Sequence, residues 1–479
     1  MAFYREKTDV REWIEKVREL GELREIKGAD WNLEMGAITE LAYKGQTDRP
    51  AILFDEIKDY PKGYRVLVNL TNSLKKLALT LGMPVDISPR DFILQWKDKS
   101  KSIKPIAPRV VKDGPILENV ERGKEVNLYK FPAPHWHEHD GGRYIGTASI
   151  TLTRDPEGGW VNFGVYRVVI HDENTLGFYI SPGKHGRIHR EKYYNANKPC
   201  PVAISFGHDP LFFLVGGIEV PFGYSEYDYA GGLFGKPIEV IEGGVTGLPV
   251  PAHSEIVIEG ESIPGDNRME GPFGEWPGYY SSSQRPEPVI KVKSIMHRNH
   301  PILCGSPPCP PPTGSSYYRG LMRSAIIWEE LEKSGIPDIR GVRCHEKAGH
   351  RFMTIVSIKQ RYPGHAKQVG LIASQCRGAA YLGRYVIVVD EDIDIFNNDE
   401  VLWAMATRCD PQESIDIIRR AWSGPLDPAI PLGRKGHNSR AIIEACRPYE
   451  WIDKFPRAVE SSPELKQQIK EKWGKLIPM

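Results

Sequence analysis

The middle of this chain, from about residue 115 to residue 305, consists of short apolar runs separated by turn residues, and this pattern constrains the fold more than any other feature. The runs cover residues 147–153, 161–171, 177–180, 202–206, 212–215, 238–241, 255–259 and 289–295. Each run has the length typical of a β-strand, and no helical period separates one run from the next. Consecutive strands without helices between them predict an antiparallel barrel or sandwich.

Helical and strand-like segments alternate on both sides of this strand-rich region. Before it, helices are predicted at 9–20, 32–43 and 72–82, and strands at 51–54 and 65–69. After a proline-rich bend at 306–316, helices are predicted at 319–333, 364–374, 398–407 and 462–475, and strands at 352–359 and 385–390. The fold class predicted is a multidomain α+β or α/β protein, with an N-terminal α/β domain at 1–112, a central β domain at 113–310, a C-terminal α/β domain at 311–450 and a tail helix within 451–479.

Charge and composition exclude several classes of protein. Lys and Arg total 63 and Asp and Glu total 62, so no net field favours nucleic acid or an anionic membrane. The apolar runs are far shorter than the ~20 residues that a membrane span needs, and the N-terminal segment is charged, unlike a secretory signal. The seven cysteines are scattered and odd in number, which is typical of a reducing compartment. We therefore expect a cytoplasmic protein without nucleic-acid or membrane partners.

The segment at 269–280, MEGPFGEWPGYY, carries two carboxylates in a loop. Its glycines and proline exclude a regular helix between Glu270 and Glu275. Aromatic neighbours disfavour the charged form of a carboxyl group, so one of the two can act as a general acid near neutral pH. The other can pair with a cation and stay ionised.

The segment at 161–167, VNFGVYR, lies in a strong strand pattern. Strand alternation puts Phe163, Val165 and Arg167 on one face, and Asn162, Gly164 and Tyr166 on the other. Asn162 offers a carbonyl oxygen to a hard metal ion, and the mid-strand Gly164 permits close approach of a ligand. Arg167 offers a planar donor fork to a carboxylate.

Two further polar segments could bind an ion or a phosphate. Residues 181–189, SPGKHGRIH, form a predicted basic turn in which His185 could ligate a metal. Residues 225–229, SEYDY, offer Glu226 or Asp228 as an oxygen ligand. By contrast, the alternating histidines at 135, 137 and 139 lack the further ligand that a zinc site requires, and the glycine pairs do not form a dinucleotide-binding fingerprint.

Taken singly, each of these segments is also compatible with a solvated turn or strand. Together, in this order and spacing, they resemble the UbiD family of reversible decarboxylases over roughly residues 10–450, most closely over 143–280. The resemblance implies that Arg167 is the catalytic arginine, that Glu270 is its partner and that Glu275 is the acid/base group. The reaction needs an electron sink that no unmodified side chain provides, and in this family prenylated FMN serves as that sink.

The resemblance also implies a set of cofactor and metal contacts. Asn162, His185 and Glu226 match the ligands of a divalent metal, usually Mn²⁺ and alternatively Mg²⁺. A K⁺ or Na⁺ ion is implied near Gly216. Flavin contacts are implied at Thr147, Asn162, Phe163, Gly164, Val165, Tyr166, Arg167, Lys184, His185, Glu226 and Lys435. The metal would anchor the flavin phosphate and would not act as the Lewis acid of the reaction.

Architecture, partners and substrate follow from the same resemblance. The central domain would be a split β-barrel that holds the flavin, and the C-terminal domain would join subunits into a homodimer or homohexamer. A flavin prenyltransferase would supply the cofactor. The substrate would be a small phenolic, heteroaromatic, polycyclic or cinnamate-like carboxylic acid, and the sequence identifies neither which acid nor the physiological direction of the reaction.

Two other classes of function stay open at the level of the sequence. A flavin-binding split-barrel oxidoreductase would not need the set of Arg167, Glu270 and Glu275. A non-catalytic subunit of a carboxylase complex would not need an intact set either. NADH-dependent flavin reduction would identify the first alternative, and turnover by the purified chain alone would exclude the second.

Overall fold

The computed structural model describes residues 5–474 and 476, apart from 46–48, 219, 221 and 281–282. The N-terminal region holds the helices Val10–Glu19, Glu34–Lys44, Leu74–Leu81 and Pro89–Ser102. The strands of its sheet run in the order Leu23–Lys27, Ala51–Asp55, Arg65–Val68 and Ile302–Gly305. The last strand returns from the far end of the central region and pairs in parallel with Arg65–Val68, so the two regions share this sheet.

The first helix illustrates how the sequence determines these elements. It starts where the Asp9 side chain accepts a hydrogen bond from the Arg11 amide, and it buries Val10, Trp13 and Val17 on one face. Gly21 follows with a φ of 73°, a conformation that glycine adopts without strain. The predicted helix at 9–20 is therefore confirmed, with bounds of Val10–Glu19.

The central region is dominated by an antiparallel sheet of nine strands. Its strands are Asn119–Arg122, Ile150–Arg154, Val161–Gly164, Ile170–Asp172, Thr175–Gly177, Cys200–Phe206, Ile256–Ser262, Asn267–Glu270 and Arg285–His297. A small sheet of Arg109–Val110, Glu239–Glu242 and Pro249–Pro251 lies beside it. The prediction of an antiparallel, strand-rich centre is confirmed.

The expectation that no helices interrupt this region is wrong. The helices His185–Asn195, Pro210–Gly216 and Glu226–Phe234 lie between its strands. Residues 212–215, predicted as a strand, belong to the second of these helices, which Asp209 caps by accepting a hydrogen bond from the Leu211 amide. Residues 211–215 are all buried, and a short run that is apolar on every side does not distinguish strand from helix by its periodicity.

The C-terminal region is a mixed sheet with helices. Its strands run in the order Ile339–Cys344, Met353–Ile358, Tyr385–Asp390, His437–Ala445 and Ile415–Trp422. The helices are Gly314–Lys333, His365–Gln375, Asn398–Arg408 and Pro411–Ser414, followed by Pro463–Trp473 in the tail. The α/β prediction for this region is confirmed. Three of its strands were not predicted: Ile339–Cys344, Ile415–Trp422 and His437–Ala445.

Apolar packing joins the three regions. One continuous cluster of buried side chains includes Trp13 of the N-terminal region, Phe213 of the central region and Trp328 of the C-terminal region. The seven cysteines are free thiols. Among the described residues, no helix combines the length and the apolar character needed to cross a bilayer.

Candidate active site

Arg167, Glu270 and Glu275 meet in a buried cluster. The Arg167 guanidinium donates from Nε to Glu270 Oε1 at 2.7 Å and from a terminal nitrogen to Glu275 Oε1 at 3.1 Å. The Arg167 and Glu270 side chains are 9 % and 1 % exposed, whereas that of Glu275 is 22 % exposed. Glu270 is therefore the inner carboxylate and Glu275 the outer one.

The backbone that carries this cluster departs from regular structure at both sides. Glu270 ends the strand Asn267–Glu270, and a loop then runs to Glu275. The strand Val161–Gly164 ends three residues before Arg167, so the predicted strand alternation does not extend to the arginine. Phe273 of this loop and Tyr179, which follows the strand Thr175–Gly177, lie against Arg167, whose guanidinium carbon is 5.7 and 4.3 Å from their ring centroids.

Burial and charge act in opposite directions on the two carboxyl groups. Burial raises the pKa of Glu270 and of Glu275, and the positive charge of Arg167 partly opposes both shifts. Burial also disfavours the charged form of Arg167, but the two glutamates more than compensate, so its pKa is raised. The arginine thus stays charged, while a carboxyl group in this site takes up a proton more readily than one in water.

His185 and Glu226 meet in a second polar cluster, beside the strand that carries Asn162. His185 Nδ1 lies 3.9 Å from Glu226 Oε1, and Glu226 Oε2 accepts a hydrogen bond from the amide of Phe163, next to Asn162, at 3.0 Å. His185 and Glu226 are each the first residue of a helix, which corrects the prediction of a basic turn around His185. Both side chains therefore have fixed positions relative to the strand Val161–Gly164.

This second cluster fits a hard divalent cation. Burial raises the pKa of Glu226 to about 7, although hydrogen bonds from the backbone amides of Glu226 and Phe163 partly oppose the shift. The Asn162 side chain is buried, and no described residue forms a hydrogen bond with its Nδ2. Burial and the charge of Lys184 lower the pKa of His185, so its imidazole is available as a neutral ligand. One carbonyl oxygen, one imidazole and one carboxylate form a mixed set that Mn²⁺ or Mg²⁺ accepts.

The histidines at 135, 137 and 139 do not form a comparable set. His135 Nδ1 lies 3.1 Å from Asn32 Oδ1, and its Nε2 lies 3.2 Å from the Asp140 carbonyl oxygen. Within the described part of the chain, no group of three or more His, Cys, Asp or Glu residues is arranged to hold a metal. Of the three residues predicted as metal ligands, only His185 and Glu226 are of these types, because Asn162 carries an amide.

A row of buried hydroxyl groups beside this cluster was not predicted. Ser149, Thr151 and Thr153 alternate along the chain, and Thr151 and Thr153 pair with Gly164 and Asn162 on the adjacent strand. The hydroxyls of Ser149 and Thr151 are buried and have no hydrogen-bond partner within the described part of the chain. Buried polar groups in proteins are normally hydrogen-bonded, so these atoms fit a polar group that lies against the sheet. Their alternate spacing in TASITLT is visible in the sequence, but it does not show that the hydroxyls are buried.

The remaining predicted flavin contacts lie in different surroundings. Thr147 is half-buried, and its hydroxyl accepts a hydrogen bond from the Ser306 amide at 2.9 Å. The exposed Lys184 immediately precedes the helix that starts at His185. The ring of Tyr166 fills the space beside Gly164, because a Cβ added at Gly164 would lie 2.4 Å from that ring. The group that approaches Gly164 closely in this structure is therefore the Tyr166 side chain.

Lys435 and Gly216 complete the predicted positions. The Lys435 ammonium donates to the Asp427 carbonyl oxygen at 2.6 Å, in the turn before the strand His437–Ala445. Among the described contacts, the structure does not bring Lys435 to the other predicted flavin contacts. The Gly216 carbonyl oxygen accepts a hydrogen bond from the Val165 amide at 3.4 Å, which links the predicted monovalent-ion region to the strand of Asn162.

Family profiles match almost the whole chain. The N-terminal, Rift-related and C-terminal domains of 3-octaprenyl-4-hydroxybenzoate carboxy-lyase, UbiD, match residues 14–94, 109–311 and 316–445. The chain belongs to the UbiD family. It is a carboxy-lyase of this class, as its relatives also indicate.

Three similar proteins align with this chain over nearly the full length of both proteins. The chain is similar to the pyrrole-2-carboxylic acid decarboxylase of Pseudomonas aeruginosa, with 32 % identity over 97 % of each chain. It is similar to the vanillic acid decarboxylase of Sedimentibacter hydroxybenzoicus in its open form, with 31 % identity, 98 % and 99 % coverage and a TM-score of 0.85. It is also similar to an evolved dimeric form of the UbiD-class enzyme HmfF from Pelotomaculum thermopropionicum in complex with prFMN, with 27 % identity, 96 % and 98 % coverage and a TM-score of 0.81.

Proposed function

We propose that this protein catalyses the reversible, non-oxidative decarboxylation of an aromatic, heteroaromatic or α,β-unsaturated carboxylic acid with prenylated FMN. The observation that carries the proposal is the contact of the Arg167 guanidinium with both Glu270 and Glu275 in a buried site. Neither a split-barrel oxidoreductase nor a non-catalytic subunit requires that set. The relatives that act on pyrrole-2-carboxylic and vanillic acid support the class of substrate.

The three side chains have different tasks in this proposal. Arg167 binds and orients the substrate carboxylate, because its planar fork matches that group. Glu270, almost fully buried, holds the guanidinium in place through the 2.7 Å hydrogen bond. Glu275 is the more exposed carboxyl group, and it donates the proton to the carbon from which CO₂ departs. The prenylated flavin, when bound, supplies the electron sink that side chains lack.

The cofactor would lie against the central antiparallel sheet, which we interpret as a split β-barrel. Asn162, His185 and Glu226 would hold Mn²⁺ or Mg²⁺ beside the flavin phosphate, with K⁺ or Na⁺ near Gly216. The unpartnered hydroxyls of Ser149 and Thr151 support a polar ligand on that face. The proposed flavin contacts are Thr147, the stretch 162–167, Lys184, His185, Glu226 and Lys435, the last of which would have to leave its bond to Asp427.

The metal assignment predicts a specific loss in His185→Ala. Removal of the imidazole leaves Asn162 and Glu226, too few ligands for a cation that also anchors a phosphate. We expect the variant to lose both the divalent metal and most of the flavin after purification. Elemental analysis and flavin absorbance measure the two quantities on the same sample.

His139→Ala is the matched control for this experiment, because His139 is an exposed histidine outside the cluster. It should retain metal and flavin at the level of the unmodified protein. Full flavin occupancy in metal-free His185→Ala would contradict the proposed anchoring role.

An exposed sheet edge supports self-association through the C-terminal region. Ile415–Trp422 is the last strand of its sheet, and Ile417 and Trp422 are 58 % and 62 % exposed. Unpaired edge strands with large apolar side chains favour pairing with another chain. We propose a homodimer or homohexamer, located in the cytoplasm and supplied with cofactor by a flavin prenyltransferase.

The function is tested with protein co-produced with a flavin prenyltransferase. We expect the mass and absorbance spectrum of prenylated FMN in the purified protein, and CO₂ release from at least one acid in a panel of pyrrole-2-carboxylate and phenolic acids. Protein produced without the prenyltransferase is the control and should be inactive. NADH-dependent reduction of unmodified FMN, without CO₂ release from any acid, would instead support the oxidoreductase alternative.

A further inference from the structure

The carboxylate oxygen of Glu270 that does not bind Arg167 lies near His171, a histidine outside the site described above. Glu270 Oε1 binds Arg167, but Glu270 Oε2 is buried and has no hydrogen-bond partner among the residues that the structure describes. His171 Nε2 is likewise buried and without a partner among them. An ionised oxygen left without a donor in a protein interior is costly, so two unpartnered atoms of this kind in one place require an explanation.

Gly177 brings these two atoms to the same place. A Cβ added at Gly177 would lie 2.8 Å from Glu270 Oε2 and 3.4 Å from His171 Nε2. It would also lie 2.6 Å from Val169 Cγ1, so a side chain here would have to displace its neighbours. Because Gly177 has no side chain, both polar atoms can approach the same crowded position beside its backbone.

A strand irregularity directs His171 toward this space. The antiparallel pair Ile170–Asp172 and Thr175–Gly177 matches Ile170 with Leu176 and Asp172 with Thr175, and its register shifts between them at His171. Such bulges re-aim a side chain and are frequent beside active sites. The imidazole nitrogen Nε2 consequently lies near Glu270 Oε2, the carboxylate oxygen that Arg167 does not bind.

We propose that His171 is a positioning residue, whose Nε2–H donates through a single water molecule to Glu270 Oε2 and so keeps Glu270 ionised against Arg167. A water that joins two buried polar groups is nearly as favourable as a direct hydrogen bond. The inference rests on the proposed function for its effect on turnover, although the contact itself does not. In this arrangement each carboxylate oxygen of Glu270 accepts a hydrogen bond, Oε1 from Arg167 and Oε2 from the water molecule that His171 binds.

The surrounding charges agree with a neutral, donating histidine. Burial lowers the pKa of His171, Arg268 and Lys291 lower it further, and Asp172 opposes them. Around Glu270, burial raises the pKa, Arg167 and Arg285 lower it, and Glu287 raises it. A donor to Oε2 favours the ionised carboxylate in addition to these groups.

The contact is tested without turnover by NMR of cofactor-free protein labelled with ¹⁵N-histidine. His171 is assigned among the 14 histidines by the signal that disappears in His171→Gln. We expect the neutral ring to carry its proton on Nε2, and its pKa to fall by ~0.5 unit or more in Glu270→Gln, because the attracting carboxylate is gone. An unchanged pKa and tautomer in Glu270→Gln would overturn the inference.

The effect on function is tested with two substitutions of His171 in the holoenzyme. His171→Phe removes the donor and should lower kcat roughly tenfold with little change in KM. The acid limb of its pH profile should move to higher pH, because Glu270 without that donor is protonated more readily. His171→Gln retains a donor near the Nε2 position and should recover most of kcat, whereas a merely structural ring would not be replaced by glutamine.

His300→Phe, at an exposed histidine, is the control and should leave the profile unchanged. An acid limb in His171→Phe identical to that of the unmodified enzyme would contradict the inference. Absence of decarboxylation by the unmodified holoenzyme would contradict the proposed function alone, since the NMR result does not depend on it.

Discussion

Glu275→Gln is expected to reduce turnover by about 10²–10⁴-fold, the usual contribution of general acid–base catalysis, while substrate and flavin still bind. The amide keeps the shape of the side chain, and its oxygen can still accept the hydrogen bond that Arg167 now donates to Glu275 at 3.1 Å. Only the transferable proton is lost. Turnover is measured at equal flavin occupancy of the two proteins.

Exchange of hydrogen on the product separates proton transfer from binding. The unmodified enzyme should incorporate deuterium from heavy water at the carbon that bore the carboxylate, because protonation is reversible, and Glu275→Gln should not. Mass spectrometry of the recovered product measures this exchange. Glu261→Gln, on the strand Ile256–Ser262 away from the cluster, is the control and should exchange normally. Exchange in Glu275→Gln near the rate of the unmodified enzyme would show that another group is the acid.

The different exposure of the two glutamates explains why the acid is assigned to Glu275. Burial raises the pKa of both, so a raised pKa alone does not separate them. Glu270 is 1 % exposed and holds Arg167 from the interior, whereas Glu275 is 22 % exposed and belongs to the loop. A group that delivers protons in every cycle must regain them from outside, which favours the outer carboxyl group.

Periodicity predicted the elements that have one clear apolar face and a recognisable end. The helix Val10–Glu19 has such a face, a capping Asp9 and a terminating Gly21, and its bounds were within one residue of the prediction. The strand Tyr385–Asp390 is buried on both faces and reads as a continuous apolar run. Ile415–Trp422 was missed because its exposed arginines and tryptophan, at the sheet edge, break the pattern.

The site was predictable to a different extent. Local composition predicted a loop with two carboxylates, but it did not predict that Arg167, about a hundred positions earlier in the chain, would bind both of them. The resemblance of whole segments to the UbiD family predicted that Arg167 acts together with these two glutamates. Local patterns predicted a basic turn at His185, because the glycines and polar residues around it hide the helix that it starts, and they did not reveal the helix that starts at Glu226.

Neither the local sequence patterns nor the family resemblance predicted His171 or the row of hydroxyls at Ser149, Thr151 and Thr153. A histidine in a strand has no sequence signal for the bulge that re-aims it, since the bulge depends on the register of the partner strand. Alternating hydroxyls are common on solvated strands, and only burial without partners marks Ser149 and Thr151 as contacts for a ligand.

Arg167→Met is expected to abolish turnover and to destabilise the central region by about 3–5 kcal/mol near pH 8, because removal of one partner leaves buried carboxylates uncompensated. The loss should be smaller at pH 5. Without Arg167, the pKa values of Glu270 and Glu275 rise further above the value of about 4.3 for glutamate in an unfolded chain. The folded variant then binds more protons than the unfolded one, so its stability falls as pH rises through that window.

Urea unfolding at pH 5 and pH 8, followed by the fluorescence of the tryptophans, measures this dependence. Arg268→Met is the matched control, because Arg268 pairs with Asp172 in the same sheet but is 37 % exposed, and loss of such a pair costs less than about 1 kcal/mol. The double variant Arg167→Met/Glu270→Gln should recover most of the lost stability at pH 8 without recovering turnover, since the inner buried charge is then removed. Equal urea midpoints for Arg167→Met and the double variant at pH 8 would show that Glu270 is not the carboxylate that Arg167 compensates.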